Sequence, residues 1–356
     1  MLPLLDGRVF ARKGKRADTE VRPYREDGRE SAAADPPLPQ EQERKEDFES
    51  VSNLAHWLAL NLVPELGAVK ARKLLQRFGG VEGVFGNLGE VGEVSWLTEA
   101  QVKALQRTPA RMDQIEEYVL DIEDHGIRIL TMENDAYPEN LRPLGDAPPV
   151  LYVAGSLLPE DRMAVAIVGT RTPTEEGQQM AYELAGAFAG RGVTVVSGLA
   201  MGIDTAAHAG ALEGGGRTVA VLGSGLYRLS PAGNRELWGA IQGNGAVVSE
   251  YPPHQGVSAM RLMIRNRIQA GLSLGVLVVE AREKGGALVT AKHARRYNRH
   301  LFAVKWPTKR EEAEGTSSLI AEEEAIAVSG LKDVESMVEI LKTPPEESEE
   351  EQRLPV

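Results

Sequence analysis

Three segments rich in Gly, Ser and Thr combine residue types that can bind an anion. They are Gly169-Thr170-Arg171-Thr172-Pro173-Thr174, the stretch from Ser197 and Gly198 to Gly202, and Gly223-Ser224-Gly225. Glycine allows close approach to the backbone, a following helix offers free N–H groups, and an arginine adds a planar fork for phosphate. We therefore predict an anion site around Gly169, Thr170 and Arg171. The alternative is an ordinary strand-to-helix turn with Thr174 as the helix N-cap.

A second cationic element is the run MRLMIRNRIQAGLS, residues 260–273, which contains Arg265, Asn266 and Arg267. We expect Arg265 on a helix and Arg267 in a turn just before a strand. Both arginines flank apolar residues, and a half-buried arginine needs a partner, of which phosphate is one. We therefore predict that Arg171 and Arg267 line one exposed groove, the alternative being a solvated helix face.

The sequence lacks the consensus motifs of several common catalytic and cofactor sites. The sequence has no cysteine, no G-x-G-x-x-G after its first core strand and no G-x-x-x-x-G-K-[ST], and Ser224 lacks the flanks of a G-x-S-x-G elbow. The six histidines lack metal-ligand spacing. We interpret His208 as a structural group hydrogen-bonded to Asp204 rather than as a general base. No catalytic residue, cofactor or metal site is predicted.

These segments must be positioned by the elements that precede and follow them. From Met163 onward, the β-rich runs AVAIV, VTVVS, TVAVLG, AVVSE, LGVLVVE and HLFAV alternate with helical stretches. This spacing predicts βαβ units in an α/β, doubly wound, mostly parallel sheet. The loops that follow parallel strands meet at one sheet edge, where ligands bind.

The rest of the chain divides by composition. We predict a disordered leader over residues 1–48, a small all-helical module over 51–110, the α/β domain over 111–330, and a short helix with an acidic tail over 331–356. The turn Pro64-Glu65-Leu66-Gly67 resembles a helix-hairpin-helix, which can bind phosphate, although we favour a structural or partner-binding role.

Charge and hydropathy limit the protein class. The formal net charge of −12 argues against a nucleic-acid partner, but acidic residues crowd into the C-terminal end while arginines cluster between residues 261 and 299. A basic groove on an acidic protein is therefore compatible with the composition. No apolar run approaches the length of a membrane span, and the absence of cysteine suits a reducing compartment, so we expect a cytoplasmic protein.

The motifs also carry a resemblance. AIVGTRTPTEEG, VVSGLAMGIDTAAHAGAL, TVAVLGSGLYRLSPAGN, IRNRIQAGLS and VLVVEAREKGGALVTAKHA follow one another in an order similar to the core of the DNA-processing protein A (DprA/Smf) family, over about residues 137–328. The resemblance implies an extended Rossmann-like domain, preceded by a SAM-like helical module. It also implies a non-enzymatic homodimer that binds and protects single-stranded DNA and loads the RecA recombinase in natural transformation and recombination.

The resemblance assigns residues as well as roles. DNA contacts carry over to Gly169, Thr170 and Arg171, to Arg265, Asn266 and Arg267, and loosely to Arg235; Ser197, Gly198, Gly202 and Gly223 belong to the strand-end loops. The sequence departs from the family at Ala287, where serine is usual, and at residues 305–309, where KWPTK replaces a proline and glycine. The other reading, which remains open, is an enzyme or sensor for a nucleotide-derived ligand on the same fold.

Overall fold

The computed structural model describes residues 41–229, 231–308 and 310–343, and for residues 41–50 the backbone alone. Its first helix begins at Glu41, so the prediction of a disordered leader is wrong for residues 41–48. This stretch consists mostly of Glu, Gln, Lys and Arg, which are strong helix formers, and it continues into an apolar helix. Residues 1–40 of the leader and residues 344–356 of the acidic tail lie outside the described residues.

The N-terminal helices pack onto one face of the sheet. They are α1 (Glu41–Asn61), α2 (Gly67–Phe78), α3 (Val81–Gly86), α4 (Leu88–Val91), α5 (Glu99–Arg107) and α6 (Met112–Asp124). Trp57 and Leu74 of these helices share one hydrophobic core with Tyr152 and Val247 of the sheet. The helices from Lys45 onward and the sheet belong to one compact unit.

The turn between α1 and α2 is the one that resembles a helix-hairpin-helix. Glu65 and Gly67 adopt positive φ angles of 56° and 63° there. Two basic residues that follow it are engaged inside the protein: Lys70 donates to Oε1 of Gln101 at 3.1 Å, and Arg72 donates to the carbonyl oxygen of Leu144 at 2.7 Å. These contacts attach α2 to its neighbours, which agrees with a structural role for both cations.

The sheet is mixed, with one antiparallel strand. Its strands are β1 (Ile127–Thr131), β2 (Val150–Gly155), β3 (Ala164–Val168), β4 (Thr194–Ser197), β5 (Thr218–Val221), β6 (Gly245–Ser249), β7 (Gly275–Val278), β8 (His300–Val304) and β9 (Ile326–Val328). They are ordered β1-β2-β6-β5-β4-β3-β7-β8-β9, and β2 runs antiparallel to both its neighbours. The predicted core strands are confirmed, whereas β9, a short edge strand with two exposed residues, was not predicted.

Helices cover both faces of the parallel part. They are α7 (Glu175–Ala189), α8 (Ile203–Glu213), α9 (Arg235–Gly243), α10 (Ala259–Leu272), α11 (Ala287–Arg296), α12 (Glu314–Ala321) and α13 (Val334–Leu341). In β3, Val165 and Ile167 pack with α7, α8 and α13, while Ala164, Ala166 and Val168 pack with α10 and α11. Both faces of the strand are therefore buried, which is why it reads as a continuous apolar run. Among the described helices, none combines the length and apolar character required to cross a bilayer.

The chain reverses its direction of winding beside β3. From β3 the strands β4, β5 and β6 are added on one side, whereas β7, β8 and β9 are added on the other. The loops that follow β3 and β7 consequently diverge, and a crevice forms at the carboxyl ends of these strands. This is the topological switch point at which doubly wound sheets bind ligands.

Candidate functional site

A cavity of about 500 Å³, the switch-point cavity, opens between the loops after β3 and β7. Residues Gly169–Thr172 form one wall, residues 281–282 and 285–287 a second wall, and α10 a third. Its titratable lining residues are Arg171, Arg265, Arg282 and Asp204. The local charge is thus positive on a protein whose formal net charge is −12.

Arg171 is the cation of this lining that is available to a ligand. Its side chain is exposed, and among the residues the structure describes no carboxylate forms an ion pair with it. Arg282, by contrast, lies 3.1 Å from Glu311 and 3.6 Å from Glu312. Arg265 is only 4% exposed. An incoming phosphate therefore meets an uncompensated positive charge at Arg171.

Glycines let the loop after β3 pack closely against the backbone of the loops after β4 and β7. A Cβ on Gly169 would lie 2.9 Å from the carbonyl oxygen of Glu280, and one on Gly202 would lie 2.5 Å from the carbonyl oxygen of Thr170. The backbone N–H of Thr170 donates to the carbonyl oxygen of Glu280 at 2.8 Å. The position of Arg171 is thus fixed from both sides by close main-chain contacts.

The N-terminus of α7 already holds an anion. The buried carboxylate of Glu280, just after β7, accepts from the backbone N–H of Thr174 at 3.0 Å and from its Oγ1 at 2.7 Å. Arg310 donates to the same carboxylate at 2.6 Å and lies 4.1 Å from the ring of Trp306. Thr174 is the N-cap of α7, as the alternative interpretation of this loop stated. Glu280 therefore already binds the N-cap residue of α7, and the predicted anion site depends on the preceding loop residues Gly169, Thr170 and Arg171.

Arg265 lies beneath the loop after β4. Its guanidinium fills the space that a side chain at Gly198 would need, and it donates to the carbonyl oxygen of Val221. Burial lowers the pKa of Arg265 to about 10, against the opposing effect of Asp204. Burial likewise raises the pKa of Asp204, against the effect of Arg265. Arg265 therefore supports the loop after β4 and, with it, the lining of the switch-point cavity.

Arg267 does not lie where the sequence predicted. It belongs to α10, which continues to Leu272, and not to a turn. It is 7% exposed, and its Nη2 lies 2.5 Å from Oε2 of Glu250. Arg267 lines a different cavity of about 700 Å³, here called the second cavity, which lies between α10 and the turn after α1. The predictions that Arg267 is exposed and that it shares one groove with Arg171 are wrong, because Arg267 is buried against Glu250 and lines a cavity that Arg171 does not line.

Comparison with known proteins identifies the family. The family model described as DNA recombination-mediator protein A matches residues 128–339. Protein Smf of Synechocystis sp. is 36% identical over 274 residues, which cover 76% of this chain and 69% of that protein. The chain belongs to the DNA recombination-mediator protein A family. The resemblance drawn from the motifs is confirmed.

Two solved structures of the family are similar to this fold. DNA processing protein A from Streptococcus pneumoniae superposes with a TM-score of 0.69 at 31% identity, over 79% of this chain and 97% of that one. DNA processing protein A from Helicobacter pylori gives a TM-score of 0.54 at 29% identity, over 60% of this chain and 97% of that one. The Helicobacter protein is described as having a unique single-stranded DNA binding mode.

The other predicted residues are distributed around the same sheet edge of this family member. Ser197 is fully buried and donates to the carbonyl oxygen of Ile167 at 2.6 Å. A Cβ on Gly223 would lie 2.9 Å from Cδ2 of Leu262, so this glycine allows α10 to pack closely. Asn266 lines the switch-point cavity and donates to the carbonyl oxygen of Gly286 at 3.2 Å. Arg235 is exposed at the start of α9 and is not among the residues that line either cavity.

His208 has a different partner from the predicted one. Its Nδ1 lies 2.7 Å from Oγ1 of Thr218, which itself donates to the carbonyl oxygen of Val195. Nδ1 must therefore carry the proton, and Nε2 is buried without a hydrogen-bond partner among the described residues. Burial lowers the pKa of His208 to about 3. The prediction of a bond to Asp204 is wrong, but the structural role agrees with this environment.

Sequence reasoning missed two residues of the site. Glu280 lies just after a buried apolar strand, and a buried carboxylate there needs a partner, which is a usable signal. Gln269 lines the switch-point cavity at 1% exposure, and its Nε2 has no hydrogen-bond partner among the described residues. Its position on the inner side of α10 has no comparable signal in the sequence.

Proposed function

We propose that the protein binds single-stranded DNA at the switch-point cavity, with Gly169, Thr170 and Arg171 as the phosphate-contacting loop. The observation that carries the proposal is the guanidinium of Arg171 at this cavity, which is exposed and has no ion-pair partner within the described part of the chain. The Helicobacter relative, described as binding single-stranded DNA, supports the choice of ligand. Six further residues shape the site: Arg265, Asn266, Ser197, Gly198, Gly202 and Gly223. As DNA contacts, Arg235 and Arg267 have the least support.

The cellular role that fits this binding is mediation of recombination. We infer that the protein protects incoming DNA and loads the RecA recombinase onto it during natural transformation, in the cytoplasm and without catalysing a reaction of its own. Family membership supports the recombination role. We further infer a homodimer formed through the C-terminal half of the α/β domain. Light scattering at micromolar concentration should report twice the chain mass of 38.6 kDa, and a monomer would contradict the dimer.

Loading of RecA has its own test. RecA filaments should form faster on single strands coated by a single-strand binding protein when this protein is added. The Arg171→Ala variant should lose most of this acceleration because it holds the strand more weakly. Equal filament growth with and without the wild-type protein would remove RecA loading from the proposal while leaving DNA binding untouched.

A nucleotide-derived ligand is the second candidate, because a cavity at a switch point also suits a nucleoside phosphate. A gel-shift competition separates the two. Labelled single-stranded oligonucleotide should be displaced by unlabelled single strand and poorly by duplex or mononucleotides. Displacement by micromolar mononucleotide would favour the enzyme or sensor, and so would steady turnover of NAD, ATP or an ester that disappears in the Arg171→Ala variant.

A further inference from the structure

The N-terminal half of α10 exposes apolar residues and buries charged ones, which is the reverse of an ordinary surface helix. Met260, Met263 and Ile264 are 65%, 51% and 41% exposed, while Arg265 and Arg267 are 4% and 7% exposed. The apolar residues follow i, i+3, i+4 spacing, so they form one continuous stripe on the helix. We call these three residues the α10 crest. A soluble helix normally buries its apolar stripe, so a crest of this kind indicates a binding surface.

The crest separates the two cavities. Met263 lines the switch-point cavity together with Thr170 and Arg171. Met260 and Ile264 line the second cavity on the other side of the helix. A ligand that extends beyond the switch-point cavity in this direction must therefore cross the crest.

We propose that the α10 crest contacts the bases of a single DNA strand whose phosphates are held at Arg171. This inference rests on the proposed function. The faces of unpaired bases are flat and apolar, and every base has such a face, so the contact would tolerate any sequence. A methionine thioether makes favourable contacts with aromatic rings and adapts its shape to them.

Aromatic side chains cannot supply these contacts around the crest. Aromatic residues are 5% of the chain. Among the residues that line the two cavities, Tyr251 carries the only ring, and the guanidinium of Arg261 covers it at 5.7 Å from the ring centroid. On α10, Met260, Met263 and Ile264 therefore provide exposed apolar surface that begins at the cavity lined by Arg171. The crest takes the place of an aromatic stacking platform.

The test compares strands with and without bases. The double variant Met260→Gln/Met263→Gln keeps side-chain length and removes the thioethers. Fluorescence anisotropy would measure its affinity for labelled oligothymidylate and for an abasic sugar-phosphate strand of the same length, over a range of salt concentrations. The matched control is Leu120→Gln on α6, because Leu120 is 48% exposed and lines neither cavity.

The expected result is a loss of about tenfold in affinity for oligothymidylate, from two contacts of roughly threefold each. The salt slope should stay unchanged because no phosphate contact is removed. Affinity for the abasic strand and the melting temperature should match those of the wild type, and the control should behave as wild type throughout.

Three other results would each be decisive. Unchanged affinity for oligothymidylate would overturn the inference and assign the crest to a protein partner. An equal loss on both strands would overturn it by showing that the substitutions act through the phosphate site. Failure of the wild-type protein to bind any single strand would overturn the proposed function itself.

Discussion

Arg171 and Arg267 illustrate two different uses of a cation in one domain. Arg171 is exposed and has no ion-pair partner among the described residues, whereas Arg267 is 7% exposed and lies 2.5 Å from the carboxylate of Glu250. The charge of Arg267 is thus compensated before any ligand arrives. The uncompensated charge of Arg171 gains a partner only when an anion binds. The presence of an arginine in a short motif is therefore not enough to predict ligand binding. The prediction also requires the burial of that side chain and its ion-pair partners to be known.

The comparison predicts that substitutions at the two positions separate stability from binding.

Arg267→Met should destabilise the protein most. The substitution leaves the Glu250 carboxylate buried without its partner, and breaking a buried pair typically costs about 3–5 kcal/mol. Urea denaturation followed by circular dichroism measures the change. In the double variant Glu250→Gln/Arg267→Met, no charge remains buried, so a large part of the loss should be recovered. A stable Arg267→Met protein with a reduced salt slope for DNA would instead make Arg267 a phosphate contact.

Glu280→Gln should have the next largest effect. The three groups around this carboxylate, the N–H and Oγ1 of Thr174 and the guanidinium of Arg310, all donate to it. The Nε2 amide group of glutamine would place a donor opposite another donor, and the exposed Glu176, 3.4 Å from Arg310, would be its one remaining counter-charge among the described residues. Hydrogen bonds to charged groups typically contribute about 1.5–3 kcal/mol each, so we expect a loss of about 2–3 kcal/mol in urea denaturation. The exposed Glu283→Gln serves as control, and equal stability of all three proteins would contradict this role for Glu280.

His208 should make stability depend on pH. Its pKa falls from 6.5 to about 3 on burial, so between these values the unfolded chain binds a proton that the folded protein does not. The contribution of neutral His208 is complete above pH 6.5 and is lost as the pH falls towards 3. From pH 7.5 to pH 5 the wild type should therefore lose about 2 kcal/mol more than His208→Gln, measured by urea denaturation at each pH. Parallel pH profiles would show that His208 is protonated equally in both states.

The parallel core could be predicted because the sequence pattern of each strand agrees with its burial in the sheet. Each strand from β3 to β8 is a short apolar run between Gly-rich loops and helices, and burial on both faces produces this pattern. Strand β9 could not be predicted, since Ile326 and Ala327 are exposed and carry no burial signal. The start of α1 was missed because a charged sequence can be helical or disordered according to what it adjoins.

The site was only partly predictable for a similar reason. The loop that carries Arg171 follows a strand, so the topology alone brings it to the ligand-binding edge. Hydrogen bonds between residues far apart in the sequence cannot be predicted from motif spacing. Glu280 and Thr174 are 106 positions apart, and Arg267 and Glu250 are 17 positions apart. These partners decide which charges remain available, and they exist only once the sheet has formed.

Arg171→Ala should affect stability least and DNA binding specifically. The side chain is exposed and unpaired among the described residues, so the free energy of unfolding should stay within about 0.5 kcal/mol of the wild type. Each phosphate contact releases condensed counterion, so the slope of log affinity against log salt should become shallower by about 0.7 for a single strand. Anisotropy titrations between low and physiological salt measure both quantities. Arg128→Ala is the matched control, because Arg128 is also exposed, lies on β1 and lines neither cavity, and its salt slope should equal that of the wild type. If Arg171→Ala folds normally and keeps both affinity and slope, the phosphate does not bind at the switch-point cavity, and the difference between Arg171 and Arg267 would then concern pairing alone.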